Sequence, residues 1–249
     1  MPRILVTNDD GVRSDGLYAL ADAVKPLGDV IVVAPQTEAS AIGHALTLRR
    51  PLRMEQLGDG VYEVDGTPTD CVNIALTQLY QPAGVRPDLI VSGINKGYNL
   101  GDDVTYSGTV AGALEGALLG IPAIAVSLQR SPGDYHFNAA AAAGARVAAI
   151  VLPRGLTPRT FLNVNVPSGA PKGMRVTFQG KRNHITVVTK RTDPRDRAYY
   201  WIEEGQDTWE PHDQSDYQAV KDGYVSVTPL QPDLTAYDEL AALESLLKG

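Results

Sequence analysis

An α/β fold, a mainly parallel sheet with helices on both faces, is the architecture this sequence predicts, and three observations carry the prediction. Short apolar runs alternate with helix-like segments through roughly the first two thirds of the chain, the signature of strand–helix–strand units. The first apolar run, Ile4-Leu5-Val6, ends in the polar turn Asn8-Asp9-Asp10-Gly11, and ligands of such sheets bind at the carboxyl ends of strands. After about Leu152 strand-like segments follow one another without helices between them, which reads as a hairpin-rich extension.

The elements follow in order. Ile4, Leu5 and Val6 read as a buried parallel strand, and Gly11 permits a sharp turn after it. A helix over Leu17–Val24 leads to the strand Val30–Ala34. Thr67-Pro68-Thr69-Asp70 places a capping threonine, a proline at the first helical position and an acid at the third, and so starts a second helix. Leu89-Ile90-Val91 is the next strand. Val110, Ala113, Leu114, Ala117 and Leu118 then recur at amphipathic helix spacing after Ser107-Gly108-Thr109, with small residues that suit close packing on the sheet. Ala123–Val126 is a strand, and the Ala-rich stretch Asn138–Ile150 is a helix that Pro153 is expected to end. In the extension, Leu162–Val166, Arg175–Phe178, Ile185–Val188, Tyr199–Ile202 and Tyr224–Thr228 read as strands, with Lys190–Arg197 as a charged, solvated loop. A terminal helix runs from Thr235, with Asp238 at the capping position and Leu240, Leu243 and Leu247 on one face.

Bulk properties narrow the function. The 249 residues suit one large α/β domain or one domain with an appended arm, and 43% hydrophobic residues supply its core. A formal charge of −7 argues against a duplex-DNA binder, which needs a basic face, but not against a small anionic substrate held through a cation. The single cysteine, Cys71, excludes a disulfide framework within the chain and reads as a small core residue. That usage, with no visible signal peptide and no apolar run of membrane-spanning length, points to the cytoplasm.

Four loops at strand ends carry the residues suited to chemistry: Asn8–Gly11, Gln36–His44, Ser92–Gly97 and Tyr106–Thr109. Asp9 and Asp10 are adjacent, and two like charges about 4 Å apart repel by roughly 4 kcal/mol at an effective dielectric near 20. A divalent cation or a shared proton relieves such a pair. Two carboxylates, a serine hydroxyl and an asparagine carbonyl are hard oxygen donors that suit Mg²⁺ or Mn²⁺ rather than zinc. Ser107-Gly108-Thr109 opens a helix, so its amides and hydroxyls form an anion site. His44 is a weak signal by itself, and His212 with Asp213 and Asp216 lies in a polar stretch that reads as surface.

These residues resemble the SurE (survival protein E) family of metal-dependent nucleotidases. The resemblance rests on Ile4–Gly11, Gly66–Val72, Ser92–Gly97, Tyr106–Ala111, Leu162–Pro167 and Gly223–Leu230, which span nearly the whole chain in order. It implies a single domain over residues 1–249: a Rossmann-like three-layer core over about 1–170, then a β-hairpin and helix extension over about 171–249. It implies one divalent ion per subunit, Mg²⁺ or Mn²⁺, held by Asp9, Asp10, Ser40 and Asn95. Phosphate would be held by Asn95, Ser107, Gly108 and Thr109, with Asp9 and Asp10 as the catalytic pair. The implied activity is hydrolysis of nucleoside 5′- and 3′-monophosphates, and of short polyphosphate, in a homodimer or homotetramer that exchanges its C-terminal arm. Three departures are visible: Ala41 and Asp196 stand where many members of the family carry glycine, and Asp15 stands in Arg13-Ser14-Asp15-Gly16 where members often show Ala-Pro-Gly.

For the chemistry, direct attack by water ranks ahead of attack by Asp9 to give an aspartyl phosphate. Two other classes fit less well. A signalling receiver module needs an acceptor aspartate after the third strand, where Ser92 and Asn95 stand instead. A dinucleotide-binding oxidoreductase needs Gly-x-Gly-x-x-Gly after the first strand, where the chain has Asp-Asp-Gly.

Overall fold

Alternate residues of the first strand face opposite layers, and the rest of the architecture follows from that. In a computed structural model, which describes residues 1–130, 133, 135–183, 186–204 and 208–248, the core elements are β1 (Arg3–Thr7), α1 (Asp15–Val24), β2 (Asp29–Pro35), β3 (Met54–Gly58), β4 (Val61–Val64), α2 (Pro68–Ala75), β5 (Leu89–Lys96), α3 (Gly108–Leu118), β6 (Ala123–Leu128), α4 (Asn138–Arg154) and β7 (Phe161–Val166). The later elements are β8 (Met174–Val176), β9 (Arg182–Asn183), β10 (Thr186–Thr192), β11 (Ala198–Glu204), β12 (Thr208–Trp209), α5 (Asp216–Lys221), β13 (Val225–Leu230) and α6 (Leu240–Lys248).

Ile4 and Val6 pack with α1 and α4 on one face of the sheet, against Leu17, Leu20, Val147 and Val151. Leu5 packs on the other face with Cys71 and Val72 of α2 and Val110 and Ala113 of α3. All three strand residues are fully buried, and each such side chain contributes about 1.5–3 kcal/mol of burial. The sheet is therefore the middle of three layers. Its main order is β3-β4-β2-β1-β5-β6-β7-β13-β8. From β4 to β7 every neighbouring pair is parallel, and β4-β2-β1-β5-β6-β7 is the doubly wound Rossmann order.

Several details differ from the sequence reading. The β3–β4 hairpin was not anticipated, because Met54–Gly58 is polar and exposed and carries no period-two pattern. Pro153 does not end α4: it lies one residue inside the last helical position, and the chain breaks at Gly155, where φ is 66°. A proline so near the end of a helix removes only one late hydrogen bond. Asp238 does not cap the terminal helix, since Tyr237–Glu239 is a 3₁₀ turn and α6 begins at Leu240.

The charged stretch read as a loop belongs mostly to the long hairpin. Lys190, Arg191 and Thr192 pair with Tyr200, Tyr199 and Ala198, and only the turn at Asp193–Arg197 is free of pairing. Ile185, read as a strand residue, lies outside the described residues. The extension also contributes to the main sheet, because β13 pairs antiparallel with β7 and parallel with β8. Cys71 is fully buried, as expected, and burial pushes its thiol well up.

The start of α2 matches the sequence closely. The Thr67 hydroxyl oxygen accepts from the Asp70 N–H at 3.1 Å, and the Asp70 carboxylate accepts from the Thr67 N–H at 2.9 Å. Thr67 also donates to the Ala45 carbonyl at 2.7 Å, which ties the loop after β2 to this helix. Thr67→Ala removes the cap and is expected to cost about 1–2 kcal/mol. Thermal unfolding would register this as a fall of a few degrees, and an unchanged melting temperature would contradict the assignment.

Candidate active site

Strand order reverses between β1 and β5, since the chain leaves β1 for β2 on one side and later returns to β5 on the other. The carboxyl ends of these two strands are where this fold places ligands. A cleft of about 520 Å³ opens there, and Asp9, Asp10, Ser40, Asn95 and Ser107 all line it. The four loops singled out in the sequence therefore meet at one edge of the sheet.

Backbone bonds fix the acidic turn. The Asp9 carbonyl accepts from the Ala39 N–H at 2.8 Å, and the Val12 N–H donates to the Pro35 carbonyl at 2.7 Å. The first loop is thus locked to the start of the second. Asn8 donates to the Gly11 carbonyl at 3.1 Å and closes the turn.

Asp9 is 4% exposed. Its carboxyl is raised to about 6, mainly by burial and further by the neighbouring charge of Asp10, against the pull of Thr109, whose hydroxyl donates to Asp9 Oδ1. Asp10 is half-buried and its carboxyl is also raised: burial and Glu38 push it up, and Lys96 pulls it down. Asp10 Oδ2 is buried with no hydrogen-bond partner among the described residues.

The start of α3 presses directly on this pair. A Cβ on Gly108 would sit 2.7 Å from Asp9 Cβ, so only glycine lets the helix end come so close. Ser107 caps the helix, its Oγ accepting from the Val110 N–H at 3.1 Å. The amides of Gly108 and Thr109 have no acceptor within the helix and lie at its positive end. Gly108 and Thr109 stand behind Ser107 rather than on the cleft wall, and the Thr109 hydroxyl is committed to Asp9.

Asn95 ends β5. Its amide nitrogen donates to the Gly97 carbonyl at 3.0 Å, which holds the side chain beside the cleft. Ser40 is exposed and donates to Glu38 Oε1 at 2.6 Å. Its neighbour Ala41 has φ of 54°, the left-handed region that favours glycine. His44 anchors this loop from the far side, with Nε2 2.6 Å from Glu115 Oε2 of α3.

No cluster of three or more histidine, cysteine, aspartate or glutamate side chains with metal-binding geometry occurs among the described residues. The oxygen atoms offered to the cleft are instead those of the two carboxylates together with amide and hydroxyl groups. Lys96 is exposed at the rim, 6.0 Å from the Tyr135 ring centroid. Asn99, Asp103, Arg130 and Tyr135 also line the cleft and were missed in the sequence. Arg130 and Tyr135 follow β6, so their position after a strand end was the signal that could have found them.

The raised carboxyl of Asp9 has a pH consequence for protein stripped of divalent ions. A group whose folded value lies above its unfolded one stabilises the fold while protonated and loses that contribution as pH rises. Metal-free protein is therefore expected to lose stability between about pH 4 and pH 6, by up to about 3 kcal/mol for a shift of this size. Denaturant unfolding of wild type and Asp9→Asn across that range checks it, because the asparagine variant should lack this slope.

Comparison with known proteins places the chain. The family model described as Survival protein SurE matches residues 4–186. A 5′-nucleotidase SurE from Pelobacter propionicus is 54% identical over 243 residues, covering 96% of this chain and 97% of that protein. A 5′-nucleotidase SurE from Geotalea daltonii is 52% identical, covering 97% and 98%. The crystal structure of the SurE protein from Aquifex aeolicus superposes with a TM-score of 0.86 at 44% identity, over 98% of this chain and 99% of that one. The first strand with its acidic turn, the reversal point of the sheet and the helix start that closes on it all fall within the matched span, and the chain belongs to the survival protein SurE family.

Proposed function

We propose that this chain is a metal-dependent phosphomonoesterase, a 5′-nucleotidase that hydrolyses nucleoside 5′-monophosphates to nucleoside and phosphate. Nucleoside 3′-monophosphates and short polyphosphate are further substrates of the same cleft. The names of the full-length relatives support the class of reaction. The observation that carries the chemistry is a buried, unpartnered carboxylate oxygen on Asp10, beside a raised Asp9 and a helix start suited to an anion.

The donor set fits one hard divalent ion per subunit, Mg²⁺ or Mn²⁺, held by Asp9, Asp10, Ser40 and Asn95. When bound, such an ion supplies positive charge to a phosphoryl oxygen and lowers the pKa of water. The remaining steps belong to the chain. Asn95 and the Ser107 hydroxyl, backed by the positive start of α3 at Gly108 and Thr109, orient the phosphate and stabilise charge on its oxygens as the ester bond breaks. The acidic pair accepts the proton of the attacking water, whose oxygen bonds to phosphorus while the ester oxygen leaves and is protonated. Lys96 and Arg130 add positive charge at the rim for a substrate that arrives as an anion.

The assembly is proposed as a homodimer or homotetramer formed by exchange of the C-terminal arm. Val188, Trp201 and Ile202 on the β10–β11 hairpin and Leu246 and Leu247 on α6 are all exposed, and unpartnered apolar surface of this kind marks an interface. No helix among the described residues is long and apolar enough to cross a membrane. A fully buried, unpaired Cys71 fits a reducing cytoplasm.

Phosphate release from AMP and GMP with Mg²⁺ or Mn²⁺ tests the reading. Turnover should vanish on chelation and return with added ion. Asp10→Asn should lower kcat by about 10²–10³-fold while the far-ultraviolet spectrum stays unchanged. Turnover that survives chelation, or that Asp10→Asn leaves intact, would overturn it.

A further inference from the structure

We propose that Asp216, far from the cleft in sequence and outside it in space, is a positioning residue that holds the turn on which the phosphate-binding end of α3 depends. The inference rests on the phosphomonoesterase reading for its kinetic consequence, but not for its geometry. The residue lies in a stretch whose sequence reads as polar surface. The structure buries it completely.

Among the described residues, all the hydrogen bonds at the Asp216 carboxylate come from main-chain donors. Oδ2 accepts from the Gly101 N–H at 2.9 Å, and Oδ1 accepts from the Gly180 N–H at 2.8 Å and from the Tyr217 N–H at 2.7 Å. Gly101 begins the 3₁₀ turn Gly101–Thr105, which leads through Tyr106 into the Ser107 cap of α3. One carboxylate in the extension thus grips the first residue of the turn that delivers the phosphate site.

The packing admits little slack. A Cβ on Gly101 would meet the Gly180 carbonyl oxygen at 2.7 Å and the Trp209 ring at 2.8 Å. Trp209 stacks on Tyr217 with centroids 4.4 Å apart and covers the clasp. A second tie runs in parallel, with Arg182 of β9 donating to the carboxylate of Asp103 on the cleft wall at 2.7 Å. The far end of the turn is also tied, because the Tyr106 carbonyl accepts from the Gly43 N–H of the Ser40 loop at 2.9 Å.

The turn is therefore a joint between three parts: the extension, the Ser40 loop and the start of α3. The donors that act on the phosphoryl oxygens lie just beyond it, and misplacing such groups costs rate rather than fold. None of the four cation donors proposed above lies on the turn, and the Ser40 loop keeps its own anchor in His44 on Glu115, so the ion site retains its support when the clasp is loosened.

Asp216→Asn keeps the shape of the side chain but turns one acceptor into a donor that faces an N–H. Gly180→Ala disturbs the same clasp from the other side, since its Cβ would lie 2.7 Å from Asp216 Oδ1. Both variants are expected to lower kcat for AMP by about 10- to 100-fold, with Mn²⁺ affinity by calorimetric titration unchanged. Amide hydrogen exchange should quicken over residues 99–110 and the segments packed on Asp216, and not in β1, β2 or α1.

Wild-type kcat in both variants, or loss of kcat together with Mn²⁺ affinity and protection throughout the core, would overturn the proposal. If the wild type itself releases no phosphate from AMP, the phosphomonoesterase reading fails. Local exchange then still decides the clasp: quickening confined to the clasp and residues 99–110 supports it, and unchanged exchange there refutes it.

Discussion

Everything at the cleft is arranged around two adjacent carboxylates held at the end of a buried strand. Burial alone works against both charges, and each also faces a negative neighbour. The local offsets are a hydroxyl from Thr109, the positive end of α3 and the ammonium of Lys96. A helix terminus contributes about 0.3–1 kcal/mol at an exposed site and up to ~2 when partly buried. Repulsion between two charges 4 Å apart is of order 4 kcal/mol at an effective dielectric of 20. The helix end alone does not offset that repulsion, and with burial as the larger cost the balance falls against the charge, as the raised carboxyl of Asp9 shows. A buried strand end that carries such a pair is the arrangement a divalent cation, on the proposed reading, would relieve.

The first half of the molecule was legible because local and global signals agree there. Ile4-Leu5-Val6 is apolar on both faces because helices cover both faces of the sheet, so the run itself announces a central parallel strand. Thr67-Pro68-Thr69-Asp70 is a helix start in sequence and a reciprocal pair of hydrogen bonds in space. The meeting of Asp9, Ser40, Asn95 and Ser107 was also readable, since Asp9 and Ser40 follow β1 and β2, Asn95 lies near the end of β5, and Ser107 opens the helix after it. What the sequence hid depends on partners remote in the chain. Asp216 looks like surface until Gly101 and Gly180, 115 and 36 residues away, are placed against it. The β3–β4 hairpin is an exposed edge with no apolar period.

Two of the three departures from the family pattern become intelligible in the backbone. Ala41 and Asp196 both adopt positive φ, at 54° and 59°, where glycine is the unstrained choice. Asp196 tolerates this conformation better than most residues, and its turn is braced by Asp193, which accepts from the N–H groups of Arg195 and Arg197. Ala41 has no such side-chain recourse, and a left-handed alanine costs roughly 1–2 kcal/mol. That strain sits in the Ser40 loop, whose anchors are His44 on Glu115 and Gly43 on Tyr106. The loop is therefore held from its far side by α3, with a single further tie to the end of the turn that Asp216 secures.

Stability as a function of divalent ion tests the central claim most directly, because it asks whether the acidic pair binds a cation without asking about turnover. A ligand that binds only the folded state at 100 times its dissociation constant stabilises by about 2.7 kcal/mol, which for a chain of this length raises the melting temperature by about 5–10 °C. Wild type should show that rise with Mn²⁺ or Mg²⁺, and Asp10→Asn should not. A wild-type melt indifferent to the ion, or the same rise in the asparagine variant, would contradict the account.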